Sequence, residues 1–198
     1  MHAGPAFAEL PFWRHLFWLS FGAWVAIEIA IWSRDRRRVE GRRDDRGSMV
    51  WISVAITAGI FGAFQCVRFG AARIASPPQL LVAAGLVFIW AGIVLRIWAV
   101  RTLGRYFRVT VTTQEDHKLV EAGPYRHMSN PAYTGGMLTL AGIGLAFGNW
   151  LSLASIVLLP LIGFIWRIRI EEASLAAHFR EDFARYRRAR WALVPFVW

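Results

Sequence analysis

Cysteine is almost absent from this chain of 198 residues, where Cys66 stands alone. One thiol cannot close an internal disulfide and has no second thiol with which to share a metal. A disulfide framework and a zinc cluster are therefore excluded, and no metal is expected. The opening segment MHAGPAFAEL has no basic region. No small-residue cleavage site follows the first apolar run, so that run reads as a membrane span and not as a cleaved signal. A dinucleotide loop is missing too, because Gly142-Ile143-Gly144 lies inside an apolar run with no strand before it. The Arg-rich run RDRRRVEGRRDDR is interleaved with acids and carries no aromatic residue to stack on a base. No nucleic-acid partner is expected.

What the chain does have is apolar length. It is 56% hydrophobic, with a mean hydropathy of +0.39 and 11 tryptophans, too apolar for an ordinary soluble domain. We read residues 1–198 as a single all-α integral membrane domain. Since about 20 apolar residues cross a bilayer, five spans can be drawn, roughly 12–33, 48–68, 78–101, 133–148 and 150–170. The fourth is short, and only Gly148-Asn149 separates it from the fifth. The two form a tight helical hairpin, which tilts or stops short of the far interface. A four-span reading stays open.

Charge placement tests this topology independently. Residues 34–47, 101–132 and 167–198 carry seven, five and seven of the 23 Lys and Arg. Such a bias obeys the positive-inside rule, placing the N-terminus outside and the C-terminus in the cytoplasm, as in a bacterial inner membrane. The net charge of +10 then reflects basic loops beside anionic membrane lipids.

Ionisable residues inside spans cost a few kcal/mol if they face lipid, so Glu28 and Arg96 should face the bundle or a wet cavity. Arg96 lies near the cytoplasmic end of its span, and the reading preferred from sequence is that it snorkels to the interface. Gly135, Gly136, Gly142 and Gly144 in the fourth span allow close helix approach.

The polar segment HKLVEAGPYRHMSNPAYTG, residues 117–135, is where we expect the chemistry. Gly123-Pro124 and Asn130-Pro131 are turn signals. Tyr125, Arg126, His127 and Tyr133 bring donors and aromatic faces at close spacing. A second cluster, Arg167-Ile168-Arg169-Ile170-Glu171-Glu172, stands where the last span meets the last helix, with Arg167 and Glu171 one helical turn apart on one face.

This ordered set, GPYRHMSNPAYTG, a hydrophobic hairpin, RxxxEE, SLxxxF and a Tyr-Arg-rich tail ending in Val194-Pro195, resembles the isoprenylcysteine carboxyl methyltransferase family. These are membrane enzymes that use S-adenosylmethionine. The resemblance covers the C-terminal half from Thr110 onward, while the first half matches only in being hydrophobic. It implies cofactor contacts at Thr110, His117, Lys118, Leu119, Val120, Tyr125, Asn130, Pro131, Ala132, Tyr133 and Glu171. Arg167 falls on the family's substrate-binding arginine; its other reading is a snorkelling arginine at the end of the fifth span. The clearest departure is Ser129-Asn130, where the family usually reads Arg-His; asparagine still donates a hydrogen bond but cannot titrate.

The residues themselves suit such a cofactor, which presents an amino-acid head, a ribose diol, adenine and a sulfonium. Turn N–H groups around Gly123 and Asn130 would bind the carboxylate. Glu171 would accept from an amine or hydroxyl, and Tyr125 or Tyr133 would stack on adenine. Methyl transfer is an in-line displacement, in which the protein holds acceptor and methyl at roughly 3 to 3.5 Å in a water-poor pocket. A carboxylate acceptor needs no base, and Arg167 would hold it as a fork, in a catalytic and substrate-binding role. An amine acceptor must lose a proton, for which Glu172 or His127 could serve.

The stretch EASLAAHFREDFARYRRAR places Leu175, Phe179, Phe183 and Tyr186 at spacings of three and four. It reads as an amphipathic helix on the cytoplasmic face that helps cap the pocket. The expected partners are a lipophilic or lipidated acceptor and membrane lipids, with oligomeric state open. Rival readings are a phospholipid amine or thiol methyltransferase, a nicotinamide-dependent membrane reductase and a non-catalytic membrane protein.

Overall fold

The computed structural model describes residues 4–36, 47–104 and 119–193. Thr110, His117 and Lys118 lie outside the described residues, as do residues 37–46 of the Arg-rich run and Val194-Pro195. Among the described residues six α-helices follow one another: α1 (Pro11–Arg36), α2 (Ser48–Cys66), α3 (Pro78–Leu103), α4 (Pro131–Phe147), α5 (Trp150–Phe179) and α6 (Glu181–Arg188). Among the described residues there are two isolated β-bridges and no strand.

Helices α1, α2, α3 and α5 are long and apolar enough to cross a membrane. Their outer faces carry residues such as Val87 and Ile162, each 67% exposed. Apolar exposure on that scale suits lipid. At 17 residues α4 is the exception. It rises only about 25 Å, and 11 of its 17 residues are buried, so α4 fills the middle of the bundle.

Close packing decides which helices touch. A Cβ on Gly85 would lie 2.6 Å from the carbonyl oxygen of Gly142, and one on Gly135 would lie 2.7 Å from that of Gly92. Only glycine lets α3 and α4 approach so nearly. On the other side, Ser152 Oγ of α5 donates to the Ala63 carbonyl of α2 at 2.8 Å. Helices α1 and α3 run in the same direction, since Trp90 donates to Ser20 at 3.1 Å and Arg96 pairs with Glu28. The antiparallel α3/α4 and α2/α5 contacts then make α1, α3 and α5 run one way and α2 and α4 the other.

The hairpin between α4 and α5 is as tight as its two linking residues imply. Gly148 ends α4 in the left-handed region, with φ +68°, where glycine is at no disadvantage. The Asn149 side chain caps α5 by accepting from the amides of Leu151 and Ser152 at 2.9 and 3.1 Å. Ile74 N donates to Gly148 O at 2.9 Å, tying this turn to the loop between α2 and α3. The end of α4 therefore reaches the level of its neighbours at that interface.

The shortfall of α4 against its neighbours lies at the end opposite the hairpin. Helix α4 begins level with Arg96, while α3 continues to Leu103 and α5 continues to Phe179. Two helices that outrun the one between them leave a recess, and the polar segment folds into it.

Candidate active site

The recess is part of a cavity of about 800 Å³. One end is polar, walled by Tyr125, Asn130, Tyr133, Glu171, Glu172 and Tyr186. The other is apolar, walled by Trp24, Val25, Ile29, Val50, Ile52 and Ile56 of α1 and α2 with Phe164 of α5. Arg96 and Glu28 also line it, and Arg96 Nη1 donates to the Ala132 carbonyl at 3.0 Å. Through that bond the ion pair sits against the first turn of α4, where the two ends meet.

Local sequence explains how the polar end is held. Gly123 takes φ +55°, and a Cβ there would lie 2.9 Å from Thr102 Oγ1; the Gly123–Arg126 turn thus presses on the end of α3 and buries Tyr125. Pro131 opens α4 as its first residue, where its missing N–H is no loss. The turn is then clasped from the C-terminal side. Ser129 N donates to Trp191 O at 2.8 Å, and Trp191 N donates to His127 O at 3.3 Å. Asn130 Nδ2 donates to Ala192 O at 2.9 Å, and Thr134 Oγ1 to Leu193 O at 2.6 Å. Arg190 donates to Tyr125 O at 2.8 Å, pairs with Glu121 at 2.7 Å and lies 4.0 Å over the Tyr186 ring.

Within this frame Arg167 is fully buried, at 0% exposure. Its Nε donates to Tyr133 Oη at 3.2 Å and to Glu171 Oε1 at 3.0 Å, and its Nη2 reaches the same carboxylate oxygen at 2.9 Å. Tyr133 Oη in turn donates to Glu171 Oε1 at 2.7 Å. One oxygen of Glu171 thus gathers three donor contacts, while the residue remains partly exposed on the cavity wall. Burial pushes the Tyr186 phenol up to about 12 and raises that of Tyr125 well above the ordinary range. Both stay neutral around physiological pH.

Of the residues singled out from sequence, Leu119, Val120, Tyr125, Asn130, Ala132, Tyr133 and Glu171 meet on the cavity wall. Pro131 and Arg167 do not line it. Pro131 turns into the start of α4, and Arg167 lies behind Tyr133 and Glu171, so neither the acceptor-holding position nor a snorkelling one describes where this guanidinium is. Arg96 does not snorkel either, because Glu28 on α1 and the Ala132 carbonyl hold it inside the bundle. The turn amides are also taken: those of Tyr125, His127, Met128 and Ser129 donate to Ala122, Pro124, Pro124 and Trp191, which leaves none of the four for a ligand carboxylate.

The C-terminal stretch is two helices and not one. Arg180 adopts φ 48° and breaks it, and α6 turns back so that Phe183 and Tyr186 are buried against the cavity. Sequence reasoning turned Glu28 and Arg96 toward the bundle or a wet cavity but neither paired them nor counted them in the site. The available signal was their shared position inside spans, but nothing local joins residues 68 apart.

Comparison with known proteins now bears on this geometry. The family model for phospholipid methyltransferases matches residues 80–182. The chain belongs to that family. The resemblance to isoprenylcysteine carboxyl methyltransferases is borne out as well. The chain is 32% identical over 115 residues to a probable protein-S-isoprenylcysteine O-methyltransferase of Oryza sativa subsp. indica, covering 57% of this chain and 60% of the rice protein. It is 28% identical over 135 residues to the protein-S-isoprenylcysteine O-methyltransferase of Schizosaccharomyces pombe, covering 67% and 57%. Among solved structures it is similar to the eukaryotic intramembrane Ras methyltransferase ICMT, with a TM-score of 0.59, 27% identity and coverage of 73% and 52%. The chain thus spans about 60% or less of the length of these relatives. An integral membrane bundle agrees with both the four apolar helices and this structural likeness.

As a member of the phospholipid methyltransferase family, the chain divides unevenly. The matched residues include nearly all of α3, with α4, α5 and the polar segment between them, and these build most of the polar end. Helices α1 and α2, which wall the apolar end, precede the match.

Proposed function

We propose that this protein transfers a methyl group from S-adenosylmethionine to a lipophilic acceptor, a carboxylate such as that of a prenylcysteine, at the membrane face where its basic segments lie. The observation that carries the reading is one cavity that joins the carboxylate-bearing polar end to an apolar end walled by α1, α2 and Phe164. Its size falls in the range of small-molecule sites.

The polar end fits the methyl donor by charge and shape. Glu171 and Glu172 face the cavity at this end, while the one cation among the described wall residues, Arg96, is paired with Glu28. That excess of carboxylate suits a donor carrying a sulfonium and an ammonium against one carboxylate. Glu171 would accept from the donor's amine or hydroxyls, and Tyr125, Tyr133, Leu119 and Val120 would supply aromatic and aliphatic walls. His117, Lys118 and Thr110 are proposed contacts by resemblance alone. When bound, the donor supplies an electrophilic methyl group.

The remaining work belongs to the chain's own residues. Arg167 holds Glu171 and Tyr133 in one orientation and acts through them, since it does not face the cavity. The buried walls exclude water, which would otherwise solvate the attacking oxygen. An acceptor carboxylate is ionised at neutral pH and requires only placement. Topology follows the charge bias, with the N-terminus outside and the site and C-terminus in the cytoplasm.

A phospholipid amine is the second reading, favoured by the carboxylate-rich wall and by the matched family. Calorimetry in detergent tests the core of the proposal, with S-adenosylhomocysteine expected to bind without any added metal. No heat and no thermal shift at millimolar ligand, on demonstrably folded protein, would reject it. Methyl transfer assayed on N-acetyl-S-farnesylcysteine and on phosphatidylethanolamine then separates the two acceptors.

A further inference from the structure

Helix α6 turns one face into the polar end of the cavity and the other to water. Phe183 and Tyr186 are buried and line the cavity, while the side chains of Asp182 and Arg185 are 70% and 79% exposed. A methyl donor that carries a sulfonium, an ammonium and a carboxylate cannot pass the apolar end, walled by Trp24, Ile29, Val50 and Ile52, without losing its hydration. It must enter and leave where the polar end meets water. Beyond the bundle helices, the described walls there are the polar segment and α6.

These two walls are held in different ways. The polar segment is fixed through its backbone: the turn at Gly123 presses on α3, and residues 127–130 are clasped by Trp191 and Ala192. Helix α6 is held through arginine side chains. Arg187 pairs with Glu172 at 2.8 Å, with both side chains partly exposed. Arg190 does more, because it joins α6 to the polar segment. Its Nη1 donates to the Tyr186 carbonyl at 2.9 Å, and its guanidinium lies 4.0 Å over the Tyr186 ring. Its Nε donates to the Tyr125 carbonyl at 2.8 Å, and its Nη2 reaches Glu121 at 2.7 Å. Arg190 is 9% exposed but Glu121 is 61% exposed, so water is at hand to solvate this contact when it parts.

The other end of α6 carries strain. Arg180 takes φ 48° and ψ −115° between α5 and α6, a backbone conformation that a residue with a Cβ adopts at a cost. Movement of α6 about that residue releases the strain, while the Arg190 contacts oppose the movement.

We propose that α6 is a lid over the polar end, hinged at Arg180 and latched by Arg190, and that the methyl donor and its product exchange when this lid lifts. Arg190 is thus a positioning residue that sets the rate of exchange. This rests on the methyl-transfer reading and deepens it. A latch that holds the lid shut with or without ligand governs how often the site opens and leaves its affinity alone. Weakening it raises the association and dissociation rates together.

Surface plasmon resonance of S-adenosylhomocysteine on captured, detergent-solubilised protein reads both rates, and thermal melts establish that each variant is folded. Arg190→Gln gives up the charged contacts to Glu121 and to the Tyr186 ring. It should raise both rates about tenfold, the size of one charge-assisted hydrogen bond, with the dissociation constant within about threefold of wild type. Arg180→Gly removes the strain from the closed backbone and should lower both rates, by about threefold. A merely structural role would move the dissociation constant with the dissociation rate and leave association unchanged. Should Arg190→Gln fail to fold, Arg180→Gly decides alone. Dissociation raised without association in Arg190→Gln, or rates that stay level or rise in Arg180→Gly, overturns the lid; a wild type that binds no S-adenosylhomocysteine overturns the methyl-transfer reading beneath it.

Discussion

Two arginines inside this bundle each pair with a carboxylate, and the two regions around them are built differently. Arg167 and Glu171 stand one turn apart on α5 and pair within that helix, with the arginine fully buried. Arg96 and Glu28 come from α3 and α1, and both are partly open to the cavity. A sealed arginine cannot change partner without exposing a charge to an apolar interior, so its part is to orient. An open one can turn from its protein partner to a ligand at small cost, because a headgroup can replace what it gives up. The distinction predicts which variants lose the fold and which lose only recognition.

The largest effect is expected at Glu171→Gln. The substitution takes the Glu171 charge away from a guanidinium at 0% exposure, and breaking a buried pair from one side costs about 3–5 kcal/mol. Because Glu171 itself is 24% exposed, we expect the lower end, about 3 kcal/mol. For a chain of this length that is a fall of roughly 6–12 °C in melting temperature, together with loss of S-adenosylhomocysteine affinity. A melt unchanged within 2 °C would show that Arg167 is not the sealed group described here. Arg167→Lys sharpens the point, since a lysine cannot reach Tyr133 and Glu171 together as the fork does. It should weaken cofactor binding as well as turnover, whereas a loss of turnover alone would return Arg167 to the acceptor.

Glu28→Gln should cost less, about 1–2 kcal/mol. Arg96 keeps its bond to the Ala132 carbonyl and borders a cavity that water or ligand can enter. Cofactor affinity should hold within about threefold while KM for the acceptor changes. Thermal melts and separate titrations of donor product and acceptor check this. If Glu28→Gln destabilised as much as Glu171→Gln, the contrast between the sealed and open pairs would collapse.

The same contrast explains what was legible in the sequence. The Arg167–Glu171 contact follows from helical spacing alone, and the small residues of α4 announced a close seam. Tyr125, Tyr133 and Glu171 were placed on the site by ordered motifs, and the cavity wall brings them together. The Arg96–Glu28 pair depends on α1 and α3 running in the same direction, a tertiary fact with no local trace. The break at Arg180 was equally hidden, because an apolar period continues across it from Phe179 to Phe183 and Tyr186. The depth at which α4 starts is set by glycine contacts to α3, and only that depth reveals that Arg167 is covered and Arg96 is not.

The smallest effect is expected one residue from the largest. Glu172 carries the same charge as Glu171, and Glu172→Gln makes the same formal change. Its partner Arg187 lies at 2.8 Å, but the two side chains are 21% and 26% exposed, so solvent already screens them. Arg187 also keeps a second bond, from Nη1 to the Arg190 carbonyl at 3.0 Å, and is not stranded when the carboxylate is neutralised. An ion pair of this exposure contributes about 0.2–1 kcal/mol, a shift of a few degrees at most. S-adenosylhomocysteine affinity should fall far less than in Glu171→Gln. Measured side by side in one detergent, equal losses at 171 and 172 would mean that the carboxylates act only through summed charge on the wall. A larger loss at 172 would mean that α6 and its arginines hold the donor, and that the Arg167 network is scaffold alone.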